Sequence, residues 1–334
     1  MPEPVLAKAA LSIALIFLVS CRFQKREVVV YTSVDESYAG PVLKEFSRRT
    51  GIEVHPVFEA PQTAGLANRF AAENGRIKAD VFWNGEFAQT MLLKDRGFLA
   101  PYASPSIKGV PSRYIDPQNY WSSVGARCRV LLIQTRLAPP KVPASLESLL
   151  EAEIPSHRIG IAFPLSGSTA THAAALYAIH GADSARWYFQ RLRARGVRVL
   201  DGNSEVGDQI AGWRLAIGLT DSNTACKVVA KGVPVTIALP DQETIGTLLI
   251  PSTVALIKDS LHPAEGKRMI DYLVSAETEK RLIEAGFYQL SLRNVEKPLG
   301  CLEGRRLKLM NVSFDDIYRQ LDVSRADLER IFVQ

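Results

Sequence analysis

Repeatedly in this chain an apolar run stops at small polar residues and a helix-like segment follows. That recurrence restricts the fold more than any other feature. EVVVYTS (Glu27 to Ser33), ADVFWNGE (Ala79 to Glu86) and LAIGLTDSN (Leu215 to Asn223) all have this form. A strand that ends in small polar residues ahead of a helix is the unit of a parallel α/β sheet, and ligands of such sheets sit at those strand ends.

The units fall into two groups. In the first, EVVVYTS leads to a helix from Pro41 with Val42, Leu43 and Phe46 on one face and Gly51 at its end. IEVHPVF, a helix over TAGLANRFAAENG, ADVFWNGE and a helix over FAQTMLLKDRG complete a β-α-β-α-β-α order with right-handed crossovers. A Pro-rich stretch (Pro101 to Pro117) and a long strand, Ser122 to Thr135, lead to the second group. There, after a turn and helix over LAPPKVPASLESLLEAE, RIGIAFPLSGSTATHAAALYAIHG, VRVLDGNSEVGDQIAGWR and LAIGLTDSNTACKVVAKG repeat strand, loop, helix. TIGTLLIPSTVALIKDS (Thr244 to Ser260) then breaks the pattern with two β-rich runs about Pro251, and helices close the chain. A length of 334 residues suits two domains. Two α/β units with a late return imply two lobes, a chain that crosses between them more than once, and a ligand held between them.

Composition adds exclusions. The chain is 47% hydrophobic and 22% charged with a net charge of +5, ordinary for a globular protein. The densest basic group, Arg186, Arg191, Arg193, Arg195 and Arg198, alternates with apolar residues as a solvated helix face does, and no nucleic-acid motif accompanies it. The apolar stretch Ala9 to Val19 follows Lys8, has the length of a signal-peptide core and is too short to span a bilayer. It ends in LVSC (Leu18 to Cys21), which resembles a bacterial lipobox and marks Cys21 for lipidation; the plain alternative is a secretory signal with an incidental Cys. Cys128, Cys226 and Cys301 remain. Without a C-x-x-C they suggest neither a disulfide framework nor a zinc site, and one bridge with a spare thiol stands beside three buried thiols.

VVVYTSVDES, TGIEV, ADVFWNGE and GFLAPY together resemble the first lobe of bacterial periplasmic solute-binding proteins of the ferric-ion-binding type. GARCRVLLIQT resembles their lobe-crossing strand, and RIGIAFPLSGSTATHAAAL and GNSEVGDQIAGWRLAIGLTDSN resemble their second lobe. STVALIKDSLHPAEGKRMIDYLVSAETEKRLI is similar to their return to the first. The likeness covers Val28 to Arg293, and the region from Lys297 onward matches it poorly. It implies an α/β, two-lobed periplasmic-binding-protein fold of type II, each lobe a mostly parallel sheet flanked by helices, with the cleft between. The expected division is a signal peptide over 1–20, a lipid-anchored tether over 21–27, one lobe from 28–124 plus 240–290, and a second from 125–239 plus 291–334. It also implies a monomeric, non-enzymatic receptor, exported and membrane-anchored, that closes by a hinge motion and serves an inner-membrane ABC permease and its ATPase.

In that family iron ligands follow the first strand and the ADVF strand, and two adjacent tyrosines end the strand before the last lobe crossing. Those places fall here on Asp35, on Gly85 or Glu86, and on Ser222 and Asn223. The tyrosine pair is absent. Three acids, Asp35, Glu86 and Asp221, are the candidate metal ligands, since oxygen-only sets suit hard cations such as Fe3+. For each acid the alternative is a helix cap, and Asp35 and Asp221 sit just before helices. The loop PLSGSTATH, with Ser168 and Thr169 opening a helix, suits a phosphate, carboxylate or other oxyanion, the place of a synergistic anion in the ferric family. GNSE (Gly202 to Glu205) is a weaker candidate of the same kind, and Thr32, Ser33 and Thr63 add hydroxyls from the first lobe. The expected cargo is ferric iron, with an organic oxyanion (phosphonate or phosphate ester) or another small polar solute as the alternative. Ser168 and His172, four apart, invite a hydrolase reading, but the G-x-S-x-G elbow and a third orienting group are missing.

Overall fold

A computed structural model describes residues 26–58, 78–139, 141–151 and 153–333. The leader, Cys21, Thr63 and the TAGLANRFAAENG segment lie outside the described residues.

The described residues hold ten strands in the order β2-β1-β3-β10-β5-β8-β6-β7, with β4 beside β10 and β9 beside β5. β1 (Glu27–Thr32) pairs in parallel with β2 (Glu53–Phe58) and β3 (Val81–Asn84). β2 carries Pro56, which an edge strand tolerates because one side of its ladder is free. In the second half, β6 (Ile159–Ala162) pairs in parallel with β7 (Arg198–Leu200) and β8 (Ile217–Asp221). The thirteen residues of β5 (Ser122–Gln134) join the halves: Ser122 to Cys128 face β10 (Leu249–Ile257), and Arg129 to Ile133 face β8. β4 (Leu99–Ala100) and β9 (Val235–Ala238) complete the set.

Two details depart from expectation. The first helix, α1 (Glu36–Thr50), starts ahead of Pro41, because Tyr38 and Ala39 extend the buried stripe of Val42, Leu43 and Phe46. The Thr244 to Ser260 region holds one strand, β10, that runs through Pro251 and does not break there. The ladder shifts register between Pro251 and Ser252, opposite Gly125 at φ 53°, so the proline sits at a bulge. A Cβ on Gly125 would stand 2.1 Å from the Tyr288 ring, which leaves glycine as the residue that fits the bend.

Helices flank both halves. α2 (Ala88–Asp95) follows β3, and a short turn of helix, α3 (Ser148–Glu151), follows β5. α4 (Gly167–His180), α5 (Ala182–Arg195), α6 (Asn203–Ala211) and α7 (Ser222–Ala230) belong to the second half. α8 (Pro263–Leu273) and α9 (Ala276–Glu284) return to the first. The basic face of α5 is only partly solvated: Arg186 pairs with Asp327 at 2.9 Å, and Arg195 donates to Ile154 O at 3.2 Å. The closing helix, α10 (Phe314–Phe332), lies on α4 and α5, and Phe314 at its start stacks on Phe87 just ahead of α2, with ring centroids 4.3 Å apart. That stack ties the C-terminal helix of one half to the other half.

Candidate functional site

Side chains two apart in a strand share a face, so Arg127 and Arg129 emerge from the same side of β5. Arg129 is the direct cross-strand partner of Asp221, the last residue of β8. Their side chains meet: Arg129 Nη1 donates to Asp221 Oδ1 at 2.5 Å, and Arg127 Nη1 to Oδ2 at 3.2 Å. Arg129 has no exposed surface and Asp221 is 2% exposed. Burial pushes the Asp221 pKa up, but Arg129 and Arg127 together outweigh it and hold the carboxyl below its usual range.

Three helix N-termini gather around this ion pair. Ser168, in the first turn of α4, donates to Asp221 Oδ2 at 2.8 Å and accepts from Arg129 at 3.2 Å. Asn203, first residue of α6, accepts from Arg129 at 2.9 Å and donates to Ser168 Oγ at 3.0 Å. Asp221 itself precedes α7. None of the three helices is capped by a side chain at its N-cap: Ser166 and Asp221 make no such bond, and Gly202 has no side chain to make one. The first backbone N–H groups of a helix have no intrahelical acceptor, and they carry the positive end of its dipole. Gly167, at φ 54°, takes the left-handed turn that starts α4. Two guanidiniums against one carboxylate add a formal surplus of one positive charge.

Several of the residues singled out above meet in this arrangement. Ser168, Thr169 and Asp221 come together: Thr169 Oγ1 lies 3.4 Å from Arg129 Nη2. Ser222 accepts the Cys128 N–H at 3.1 Å and donates to Gln289 Oε1 at 2.5 Å. Asn223, beside it, is 6% exposed. On the other side of Arg127, its Nη2 donates to Gly85 O at 2.6 Å, next to Ser33 Oγ, which accepts the Gly85 N–H at 2.9 Å and bonds Asn84. Thr32 Oγ1 accepts the Val34 N–H at 3.0 Å, a local turn contact.

The three acids do not converge. Among the described residues, no three His, Cys, Asp or Glu side chains are grouped so as to hold a metal ion. Asp221 is held by the arginines. Glu86 caps α2, accepting the N–H of Ala88 at 2.8 Å and of Gln89 at 3.1 Å, and it accepts from Thr171 Oγ1 at 3.0 Å. Burial pushes its pKa up against those bonds. Asp35 is exposed and lies 3.9 Å from Lys227 Nζ, which also sits 4.8 Å over the Tyr38 ring. Of the three acids only Glu86 takes the capping alternative; neither Asp35 nor Asp221 caps its helix through the side chain.

Ser168 Oγ donates its hydrogen bond to Asp221, and His172 is buried with Nε2 unpartnered, so these two residues form no Ser–His relay. Burial and then Arg129 push the His172 pKa down to about 3. Unfolded, the ring titrates near ~6.5, so the unfolded chain binds the extra proton first and stability falls as pH drops from there toward the folded value. At about pH 4.5 that loss is roughly 2–3 kcal/mol. His172→Gln is expected to remove it, read as the change in urea-unfolding stability between neutral and acid pH; the same acid loss in variant and parent would refute the assignment.

Residues 28–288 match the family described as bacterial extracellular solute-binding protein. The major ferric iron-binding protein of Neisseria meningitidis serogroup A is 25% identical over 305 residues, covering 86% of this chain and 89% of that protein. Among solved structures, the ferric binding protein from Campylobacter jejuni superposes with a TM-score of 0.81 at 18% identity, covering 91% of this chain and 99% of that one. The periplasmic binding protein AfuA from Actinobacillus pleuropneumoniae, with exogenous fructose-6-phosphate bound, gives 0.79 at 20% identity, covering 92% and 99%. The structural likenesses establish a shared two-lobed type II fold.

Proposed function

The chain belongs to the bacterial extracellular solute-binding protein family, and from that premise we propose that it is the capture component of an importer whose solute is a small organic oxyanion. It is a receptor and not an enzyme. The observation that carries the anionic reading is the meeting of three helix N-termini with Arg127 and Arg129 at one point. Free N–H groups, dipole ends and a positive surplus are the chemistry of phosphate, phosphonate or carboxylate capture.

Arg127 bridges Gly85, just after β3, and Asp221, at the end of β8, so an anion reaching it engages both halves and favours closure. Ser33, Ser168, Thr169, Ser222 and Asn223 line this cleft. The reading takes lobe 1 as 28–124 plus 240–290 and lobe 2 as 125–239 plus 291–334. Export by residues 1–20, lipidation at Cys21, a monomeric state, and delivery to an inner-membrane permease with its ATPase complete the reading. A second reading keeps ferric iron as the cargo, carried with a synergistic anion on the same groups; the name of the Neisseria relative favours it.

Thermal unfolding of the metal-stripped protein separates the two. The panel is phosphate, alkylphosphonates, sugar phosphates, citrate, Fe3+-citrate, Ca2+ and Mn2+. A ligand at about a hundred times its Kd adds roughly 2.7 kcal/mol, seen as a rise in Tm. An organic anion alone is expected to give that rise, and Arg127→Gln to abolish it. A rise with Fe3+-citrate and with no anion alone would overturn the first reading in favour of the second.

A further inference from the structure

Most polar groups of the site are already engaged with one another. Both Asp221 oxygens accept from arginine, Ser168 is held by Arg129, Asn203 and Asp221, and Ser222 is held by Cys128 and Gln289. Asn223 differs. It stands in the first turn of α7, 94% buried by the 6% exposure left to it, and its Oδ1 has no hydrogen-bond partner. Asn84, at the end of β3 and with no exposed surface, is engaged through Oδ1 by Ser33 and leaves Nδ2 unpartnered. The Nε of Arg127 is unpartnered as well.

Arg127 links the two segments that carry these groups. One of its nitrogens reaches Gly85 O, the neighbour of Asn84, and another reaches Asp221, two residues before Asn223. Buried amide groups are almost always paired in folded proteins, so each one left open calls for an explanation. The open set is an amide carbonyl that accepts and N–H groups that donate. A group that both donates and accepts completes such a set; an oxyanion completes only its donor half.

We propose that Asn223, with Asn84 and Arg127 Nε, recognises a hydroxyl or amino substituent on the solute, so that the ligand class is a hydroxylated or aminated organic oxyanion and not a bare anion. This rests on the oxyanion reading above. A site built to hydrogen-bond a substrate OH or NH rejects the analogue that lacks it far more strongly than a pocket shaped for a missing methylene does.

Calorimetric titration of the purified protein with two matched pairs tests it: glycerol 3-phosphate against propyl phosphate, and citrate against tricarballylate. The members of each pair differ only in hydroxyl groups. In at least one pair the hydroxylated member is expected to bind at least about tenfold tighter, a hydrogen-bond-sized preference. Asn223→Ala collapses that ratio toward one, and Asn223→Ser, which keeps a donor and acceptor, retains part of it. Equal affinities within both pairs, or a ratio untouched by Asn223→Ala, overturns the proposal while leaving the oxyanion reading in place. Binding of no member of either pair overturns both.

Discussion

Replacing Arg129 with methionine is expected to destabilise the protein by about 3–5 kcal/mol, because it strands a buried carboxylate. Asp221 keeps Arg127 at 3.2 Å but loses its 2.5 Å partner, and Asn203 and Ser168 lose a shared donor at the same time. The sign of the pH dependence follows from the lowered Asp221 pKa. Its paired carboxylate contributes stability above the ordinary titration range and loses it as pH falls through the folded value. The deficit of Arg129→Met against the parent therefore narrows in acid, where protonated Asp221 no longer needs the guanidinium. Adding Asp221→Asn to Arg129→Met removes the stranded charge and is expected to recover a large part of the loss at neutral pH. Urea unfolding of parent, single and double variants measures all three statements. A single variant within about 1 kcal/mol of the parent, the size of an exposed ion pair, would show that the pair is not buried in solution.

This pair also marks what the sequence discloses and what it hides. The βα units were legible because each strand ends in small polar residues: TDSN and SGST do open α7 and α4, and Ser168, Thr169 and Asp221 do meet. Their roles were less legible. Asp221 reads as a free ligand until its partners are known, and those partners lie 92 and 94 residues away, in an apolar strand. The readable signal was in GARCRV, where two arginines at i and i+2 share one face of a run otherwise fit for burial. Glu86 caps a helix and Asp35 does not, for a related reason. Capping depends on where a side chain points relative to a helix start, and proximity in sequence does not set that. Pro251 reads as a break, yet the bulge opposite Gly125 absorbs it, a cross-strand device that a single segment does not reveal.

Removal of the Cys226–Cys301 bridge is expected to lower stability by about 4 kcal/mol in the chain-entropy account, given a closed loop of 75 residues. The bridge joins α7, three residues beyond Asn223, to a 3-10 turn over Gly300–Leu302. The loop it closes contains β9, β10, α8 and α9, so the return from the second half to the first lies inside it. Beyond the bridge the chain is tied again, by Met310 N to Thr247 O at 3.0 Å and by Phe314 on Phe87, so reduction loosens the C-terminal segment without freeing it. The third cysteine does not confuse the assay: Cys128 is buried, and burial pushes its pKa up to about 12, so it has almost no thiolate at neutral pH. Folded protein whose Cys21 is lipidated or replaced should therefore take up no iodoacetamide before reduction and two equivalents after, matching the two bridge sulfurs. The Cys226→Ser/Cys301→Ser variant should unfold at the lower urea midpoint of the reduced parent. A single midpoint shared by oxidised parent, reduced parent and variant would mean that the bridge constrains nothing the rest of the fold does not already hold.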